Sequence, residues 1–395
     1  MENSAVTSST FPLGGLVVGI DASRNRSGGA IVHLIGIIEN FDIENGIGQV
    51  HVWAYKSLLD RLPERPWLFK HGHAALEKSL IYQLFWQARI LPNELQRIGC
   101  DVIFATDAST LCNYQPLVVL SQDLLSYEPG VMENYRWGLA RARLEFIKRV
   151  QNRAFKRAIG VMFLTSYARE LVESSCGRLF NAALVPHGID ESFRAKEPQK
   201  KWKLHDQENP LRCVYVSNAD LYKNQWNVVK AIRLLRDQGF FITLTLIGGG
   251  DGEARQLLEQ TIVECDGAGW ITQLDFLSHQ ELPLRLEQAD IFVFASSCEN
   301  LPITLLEGMA KGLPIACSNR GPMPEVLGEG GEYFDPLNFE SIAYAIYRLI
   351  ASPDRRELLA KIAQERAKSY TWKACARDTF KFIKNSYYQN SGERK

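Results

Sequence analysis

The feature that most constrains the fold is an alternation of short apolar runs with longer helical segments on both sides of a polar stretch. The first series opens with LVVGID at 16–21, a run typical of a buried strand, and closes with ALVPHGID at 183–190. The second series runs from CVYVSN at 213–218 to PIACSN at 314–319 and ends in a mostly helical tail. Such alternation favours parallel sheets, so the sequence predicts an α/β protein with two doubly wound domains.

The polar stretch between the two series predicts where the domains meet. Residues 191–210 are rich in charged side chains and include prolines, a composition typical of a linker. We therefore expect an N-terminal domain at 1–192, a linker at 193–210, a second domain at 211–375 and a terminal helix within 376–395. Doubly wound sheets bind ligands at the carboxyl ends of their strands, so two facing domains would place a site in the cleft between them.

Composition narrows the class of protein. The 45 basic and 45 acidic side chains cancel, which argues against a generic nucleic-acid binder. The eight cysteines include no C-x-x-C pair and lie mostly in apolar runs, as expected of reduced thiols in a cytoplasmic protein. The sequence has neither a signal-peptide pattern nor an apolar run of 18 residues, so we expect no transmembrane helix.

The stretch ENLPITLLE at 299–307 places two carboxylates around an apolar segment. Pro302 suits the first turn of a helix, so Glu299 and Asn300 would lie in a loop and Glu307 more than one turn into the helix. Amides at a helix start bind anions. Glu307 could accept two hydrogen bonds from a vicinal diol such as ribose, and Glu299 could face a sugar hydroxyl. On spacing alone, the alternative is a capped helix with one glutamate paired to a lysine.

Extended to 336, this stretch resembles the donor-site segment of family 4 retaining glycosyltransferases of the GT-B fold. The resemblance covers most of the chain and rests on the order and spacing of several motifs. It implies two Rossmann-like domains that face each other across a cleft, with the C-terminal helix crossing back to the N-terminal domain. Four further segments are similar to motifs of the family: DASRNRSGGAIVH at 21–33, VPHGID at 185–190, SNADLYKNQWNVVKAI at 217–232 and LIGGGDGEA at 246–254.

The resemblance implies a retaining, metal-independent glycosyltransferase. Such an enzyme moves a hexosyl residue from a nucleotide-diphosphate sugar, here a UDP- or GDP-sugar, to a glycan or lipid-linked acceptor. The donor is a substrate, so no cofactor is expected, and bacterial surface polysaccharide biosynthesis is the commonest setting. Two alternatives stay open: a sugar-nucleotide epimerase of the same overall fold, and a catalytically degenerate GT-B module that binds a nucleotide sugar or a partner protein without turnover.

The family motifs also assign residues by position. Glu307 would bind the ribose hydroxyls, Glu299 would contact the transferred sugar, and Lys223 would neutralise the departing diphosphate. Asp123 is a candidate for orienting or deprotonating the acceptor hydroxyl, although the resemblance implies that the donor phosphate itself takes that proton. Lys223 could instead be an ordinary surface lysine. The glycines named below could likewise be ordinary turn residues. The other expected donor-site residues are Gly28, Gly29, Asn218, Gly248, Gly250, Asn300 and Leu301.

The sequence departs from the family pattern at three positions. Asn218 stands where many members have an arginine, Gln122 stands where many have a histidine, and His187 replaces a usual asparagine. The change at Gln122 removes a potential base but keeps a hydrogen-bonding group. These departures bear on acceptor chemistry more than on donor binding. If the cation missing at Asn218 is supplied elsewhere, the candidates are Arg24, Arg26 and Arg320.

A basic segment at 135–158 interleaves eight Arg and Lys side chains with apolar ones and has a single acidic residue, Glu145. One interpretation is an amphipathic helix that contacts an anionic membrane at the inner face of the cell, near a lipid-linked acceptor. The other is an ordinary packed helix with a solvated basic face.

The sequence gives no positive signal for a metal site. It lacks the D-x-D motif by which the other major glycosyltransferase fold holds a divalent ion. His71 and His73 form the close histidine pair, and nothing near them in the sequence completes a ligand set. We expect surface or packing roles for both.

Overall fold

The computed structural model describes residues 15–26, 28–42, 46–131, 138–195, 205–278 and 280–392. Two sequence-based interpretations fall partly outside this range. The central part of the predicted linker, 196–204, and the first three residues of the basic segment, 135–137, lie outside the described residues.

The described part of the N-terminal half forms a seven-stranded, fully parallel sheet with the strand order β3-β2-β1-β4-β5-β6-β7. Apolar runs such as the fourth to sixth strands are fully buried, as expected for strands covered by helices on both faces. The strands are β1 (Leu16–Asp21), β2 (Ile47–Trp53), β3 (Leu68–His71), β4 (Val102–Ala105), β5 (Leu117–Leu120), β6 (Gly160–Phe163) and β7 (Ala182–Leu184). The helices are α1 (Gly28–Glu39), α2 (Lys56–Leu59), α3 (Leu80–Arg89), α4 (Leu91–Ile98), α5 (Leu139–Arg157) and α6 (Ser166–Cys176).

The described part of the C-terminal half forms a second parallel sheet, in the order β10-β9-β8-β11-β12-β13. Its strands are β8 (Leu211–Val216), β9 (Ile242–Ile247), β10 (Ile271–Leu274), β11 (Ile291–Phe294), β12 (Ile315–Ser318) and β13 (Glu332–Phe334). Its helices are α7 (Gln225–Asp237), α8 (Glu253–Glu264), α9 (Glu281–Gln288), α10 (Ile303–Ala310), α11 (Met323–Leu327), α12 (Phe339–Ala351), α13 (Pro353–Ala367) and α14 (Trp372–Gly392).

Both sheets have the strand order of a doubly wound fold, which confirms the predicted α/β class with two Rossmann-like domains. In each sheet the strand order reverses beside the first strand, at β1 between β2 and β4 and at β8 between β9 and β11. Doubly wound sheets bind ligands outside the carboxyl ends of the strands at this switch point. The loops after β1, β8 and β11 therefore mark where a site is expected.

Several elements differ from the sequence-based prediction. β3, β13 and α6 were not predicted. Residues 73–99, whose sequence is helical in character throughout, form a short 3-10 turn, α3 and α4. α1 starts at Gly28, so the two glycines assigned to a loop form the first turn of the helix. The reason is that Gly28 can adopt its left-handed φ of 55° without strain, and the helix then begins directly at the end of the loop.

The last helix, α14, packs against α1 and the N-terminal sheet. The side-chain amide of Asn181 donates to Oγ of Ser386 at 2.9 Å, and the rings of Phe41 and Phe380 meet edge-on at 4.7 Å. α14 begins at Trp372, before the expected position. The boundaries given above for the domains and the linker stay predictions.

Candidate active site

A pocket of about 170 Å³ lies between the two domains. Its N-terminal wall includes Gly29 at the start of α1 and Gln122 and Asp123 in the loop after β5. Its C-terminal wall includes Glu299 and Ile303, which lie between the end of β11 and the start of α10. The pocket therefore lies where both sheets present the carboxyl ends of their strands.

Polar contacts join the two walls beside this pocket. The side-chain amide of Asn300 donates to the carbonyl of Ser121 at 2.6 Å, and Oγ1 of Thr165 donates to the carbonyl of Asn300 at 3.1 Å. The carboxylate of Glu325 accepts from the first two backbone amides of α6 at 2.7 and 2.9 Å. Asn300, predicted as a donor contact, thus uses its side-chain amide to bridge the domains.

The starts of two helices face each other in the pocket. A Cβ atom added at Gly29 would lie 3.0 Å from Cδ1 of Ile303, so α1 and α10 begin within contact of each other. The first turn of any α-helix has amides without intrahelical partners and carries a partial positive charge. Two such turns around one pocket favour a ligand with several negative oxygens, such as a diphosphate. Leu301, another predicted donor contact, also lines the pocket.

Lys223 and Glu299 form an ion pair in the cleft. Nζ of Lys223 lies 2.5 Å from Oε1 of Glu299, and the two side chains are 14% and 15% exposed. The hydroxyl of Tyr215 donates to the carbonyl of Lys223 at 2.7 Å. Asn224, which has a φ of 53°, donates to the carbonyl of Ala295 at 2.9 Å. The loop after β8 is therefore fixed against the loop after β11. The alternative considered for ENLPITLLE, a glutamate paired with a lysine, is thus present, and the pair lies inside the cleft.

Glu307 is buried on α10, and only 7% of its surface is exposed. Its Oε2 atom has no hydrogen-bond partner among the described residues. Burial, and next the nearby charge of Asp190, raise the pKa of Glu307 to about 8. An unpaired buried carboxyl of this kind matches a group that a bound hydroxyl would complete.

The glycines after β9 have a clear packing role. A Cβ at Gly248 would lie 2.4 Å from the carbonyl oxygen of Ser217, and one at Gly250 would lie 2.9 Å from Cβ of Ala219. Both glycines have positive φ, 131° and 154°. They let the loop after β9 pack on the loop after β8, where the exposed Asn218 lies. None of these three residues lines the pocket, so their roles in nucleotide binding stay predictions.

Asp123 lines the pocket with an exposed surface, while its Oδ1 accepts from the amide of Leu125 at 3.0 Å. The protein atoms packed around its carboxyl desolvate it and raise its pKa, and the charge of Asp107 adds to the effect. The neighbouring Gln122 has a buried side-chain oxygen without a partner among the described residues. Both positions suit contacts to a polar acceptor.

Two of the three candidate replacement cations have other partners. Arg26 donates to the carbonyl of Leu76 and lies over the ring of Tyr55 at 4.3 Å. Arg320 pairs with Asp335 at 3.2 Å. The remaining candidate is Arg24, whose Nε is buried without a partner among the described residues.

Three pocket residues were missed as site residues by the sequence analysis: His187, Tyr222 and Cys298 all line the pocket. His187 was noted only as a departure from the family pattern. Tyr222 adjoins the predicted lysine and Cys298 adjoins the predicted glutamate, so position next to a predicted residue was the available signal. The rings of His187 and His33 lie 4.7 Å apart, a contact between distant segments that sequence spacing does not reveal.

The histidines near residue 71 have packing partners. Nε2 of His71 lies 2.9 Å from Nδ1 of His51, and Nδ1 of His73 accepts from the amide of Ala75. Within the described ranges, no group of three His, Cys, Asp or Glu side chains could hold a metal ion. Among the described helices, none combines the length and apolar composition needed to cross a bilayer.

Two facing doubly wound domains with a pocket between them define the GT-B fold, and solved structures agree. Sucrose-phosphate synthase from Thermosynechococcus elongatus superposes with a TM-score of 0.75 at 16% identity, over 96% of this chain and 100% of that chain. Anabaena HepE in complex with UDP and glucose superposes with a TM-score of 0.70 at 18% identity, over 92% and 97%. At these identities the likeness shows the fold.

The sequence comparisons agree with the resemblance. Residues 196–366, less than half of the chain, match the family model described as "Glycosyl transferases group 1". The predicted resemblance is therefore confirmed. The O-antigen chain mannosyltransferase B of Escherichia coli is 27% identical over 172 residues, which are 44% of this chain and 45% of that protein. Two other curated relatives are also matched over half of their length or less, one over 50% and the other over 38%.

Proposed function

We propose that this protein is a retaining glycosyltransferase that moves a hexosyl residue from a UDP- or GDP-sugar to a glycan or lipid-linked acceptor. The proposed setting is bacterial surface polysaccharide biosynthesis on the cytoplasmic side of the membrane. The support is the group 1 family match, the O-antigen mannosyltransferase among the relatives, and a structural neighbour bound to UDP and glucose.

The observation that carries the proposal is the arrangement around the start of α10. The ion pair of Lys223 and Glu299 stands on one side of the helix start, and the unpaired carboxyl of Glu307 lies further along the same helix. A nucleotide sugar offers a sugar, a diphosphate and a ribose diol in that order. In chemistry, the sugar matches Glu299, the diphosphate matches the helix start together with Lys223, and the ribose diol matches Glu307.

In the proposed reaction, the bond between the anomeric carbon and the diphosphate oxygen breaks. The acceptor oxygen then bonds to the same face of that carbon, and the acceptor proton passes to the departing phosphate. Negative charge grows on the diphosphate, where the helix starts and Lys223 stabilise it. Removing one such fixed donor typically costs about 10²–10³ in kcat. Because the phosphate takes the proton, Asp123 would orient the acceptor rather than act as an essential base.

The proposal includes a reaction without a metal ion. Its support is the cationic role of Lys223 and of the two helix starts, which together can offset the charge of the leaving group. If a divalent ion were needed instead, a chelator would abolish turnover.

Turnover is tested with purified protein, a panel of UDP- and GDP-sugars and a lipid extract as acceptor source, with and without EDTA. We expect release of one nucleoside diphosphate that depends on acceptor and survives EDTA, with retained anomeric configuration in the product by NMR. Isomerisation of the donor without diphosphate release would instead identify an epimerase. Donor binding with no change in either substrate would identify the degenerate binding module.

The membrane contact is a further part of the proposal, supported by the exposed face of α5. Arg143, Arg149, Arg153 and Lys156 are exposed on this helix, and Phe146 between them is 57% exposed. The described structure gives these four cations no carboxylate within salt-bridge distance. Unpaired cations beside an exposed aromatic side chain are complementary to an anionic lipid surface.

A further inference from the structure

Two buried histidines meet at the wall of the pocket. His187 follows β7 in the segment that leads out of the N-terminal domain, and His33 lies in α1. Each is 1% exposed, and their rings are 4.7 Å apart. Trp372, the first residue of α14, covers the pair at 5.8 Å from His187 and 6.4 Å from His33.

The hydrogen-bonding capacity of the pair is unmet. Neither ring nitrogen of His187, nor Nδ1 of His33, has a partner among the described residues. Buried polar atoms in native proteins are nearly always paired, so such atoms call for an explanation. His187 lines the same pocket as Gly29 and Ile303, where α1 and α10 begin. A ligand held at those helix starts would lie against the unpaired imidazole.

The charges around the pocket favour a cation at this position when an anion binds. Asp123 and Glu299 place two carboxylates in the pocket lining, and the charge of Lys223 is offset by Glu299. Among the described lining residues there is no lysine or arginine, and His187 is the basic side chain. A diphosphate there meets the helix starts and the already paired Lys223, so among the described lining residues only the imidazole can add a full positive charge.

Burial favours the neutral form of both imidazoles. Burial lowers the pKa of His33 to about 4, and burial followed by repulsion from His33 lowers the pKa of His187 well below its usual value. The charged or titratable group that acts on His187 is His33 from α1, while Asp190, three residues along the segment of His187, acts on Glu307 of α10. From α14 the pair meets Trp372, which carries no charge.

We propose that His187 contacts the donor diphosphate and takes up a proton from solvent when a nucleoside diphosphate binds. This inference rests on the proposed function, because it needs the diphosphate at the starts of α1 and α10. One ring nitrogen donates to a phosphate oxygen, and the second gains the proton. A nearby anion raises the pKa of an imidazole, since it stabilises the charged form. His33 stays neutral beside the charged His187.

Proton uptake by His187 determines the direction in which nucleoside diphosphate affinity changes with pH. Between the pKa of His187 in the free and bound states, affinity for the nucleoside diphosphate falls as pH rises, by up to about tenfold per pH unit. Glu307 works in the opposite direction. Its carboxyl is protonated at neutral pH and would ionise to accept from the ribose, which releases a proton. Net proton counts could cancel, so the test must observe the histidine itself.

The test uses protein labelled with ¹³C at histidine Cε1 and follows each signal from pH 5 to 9 by NMR, alone and with saturating UDP or GDP. The signals of His187 and His33 are assigned with His187→Asn and His33→Gln variants. We expect His187 to stay neutral in the free protein and to titrate above pH 7 in the complex. The His51–His71 pair, with rings 5.1 Å apart and outside the pocket, is the internal control and should not change.

Affinity measurements complete the test. His187→Asn should weaken nucleoside diphosphate binding about tenfold at pH 6.5 and remove the loss of affinity with rising pH that His187 causes, which leaves the opposite effect of Glu307. The His71→Asn control should bind as the wild type does. Binding of UDP or GDP that leaves His187 neutral, or a His187→Asn variant with unchanged pH dependence, would overturn this inference alone. Failure of both nucleotides to bind wild-type protein at any pH would overturn it together with the proposed function.

Discussion

At the scale of single residues, the site combines groups that would be unfavourable in an empty protein core. Glu307 is buried with an unpaired oxygen, and burial raises its pKa to about 8. Lys223 and Glu299 form an ion pair within the cleft instead of on the surface. Retaining unpaired buried groups costs stability, and such groups are concentrated at functional sites of proteins.

Glu307 gives the unliganded protein a pH-dependent stability. Its raised pKa means that the folded state binds a proton more tightly than the unfolded state does. This contribution is fully present below the unfolded pKa, near 4.5, and is lost as pH rises through about 8. Its upper limit is about 4–5 kcal/mol in the free energy of unfolding.

Urea unfolding of wild type and Glu307→Gln between pH 5 and 9 checks this prediction. Glu307→Gln should flatten the decline in stability, because glutamine carries no titrating proton. Glu340→Gln, at an exposed position on α12, is the matched control and should keep the wild-type slope. An identical slope in all three proteins would show that Glu307 is already ionised in the folded state.

At the scale of helices and strands, α5 is the element with the clearest unassigned surface. Over its 19 residues it presents exposed cations on one side and buries Leu144, Ala154 and Phe155 on the other. The sequence interpretation left a packed helix and a membrane helix as alternatives, and the structure is compatible with both at once.

Vesicle co-sedimentation tests the membrane contact. Wild-type protein should bind vesicles with 30% anionic lipid at low salt and dissociate as salt screens the attraction. An Arg149→Glu/Arg153→Glu variant should lose most of this binding. The control is a charge reversal at Arg285 and Lys361 on the C-terminal domain, which should bind normally. Equal binding by both variants, or binding to neutral vesicles, would contradict a role for α5.

The sequence predicts elements well where one pattern is strong. β1, β8 and β11 are continuous apolar runs, and Pro302 marks where the helix after β11 begins. β3 and β13 were missed because they are short edge strands of four and three residues with polar side chains, so propensity alone does not mark them. α6, SYARELVESSC, was missed because the residues that it buries at helical spacing, Ala168, Val172 and Cys176, are small and do not stand out in the sequence.

The candidate site was predictable only where a motif spans a few residues. ENLPITLLE placed Glu299 and Glu307 correctly in a loop and a helix, since both follow from local structure. The pairing of His33 with His187 and the bridge from Asn300 to Ser121 join segments more than 150 residues apart. Such contacts depend on how the domains pack, which single-sequence patterns do not encode.

At the scale of the whole molecule, the two domains form one site. The bridges from Asn300 and Glu325 close the cleft beside the pocket, and α14 returns to pack on the N-terminal domain. Residues from both sheets line the pocket, so neither domain supplies it alone. We infer that the cleft binds a nucleotide-sugar donor that extends from this pocket to Glu307 on α10, a residue outside the pocket lining.

The most direct measurement is a thermal-shift panel of UDP, GDP and ADP and their sugars on wild type, Glu307→Ala and the Glu340→Ala control. A ligand at about 100 times its Kd should stabilise the folded protein by about 2.7 kcal/mol. The account predicts that one nucleotide raises the Tm of wild type and of Glu340→Ala but not of Glu307→Ala. A panel in which no nucleotide shifts wild type, or in which one shifts Glu307→Ala equally, would contradict it.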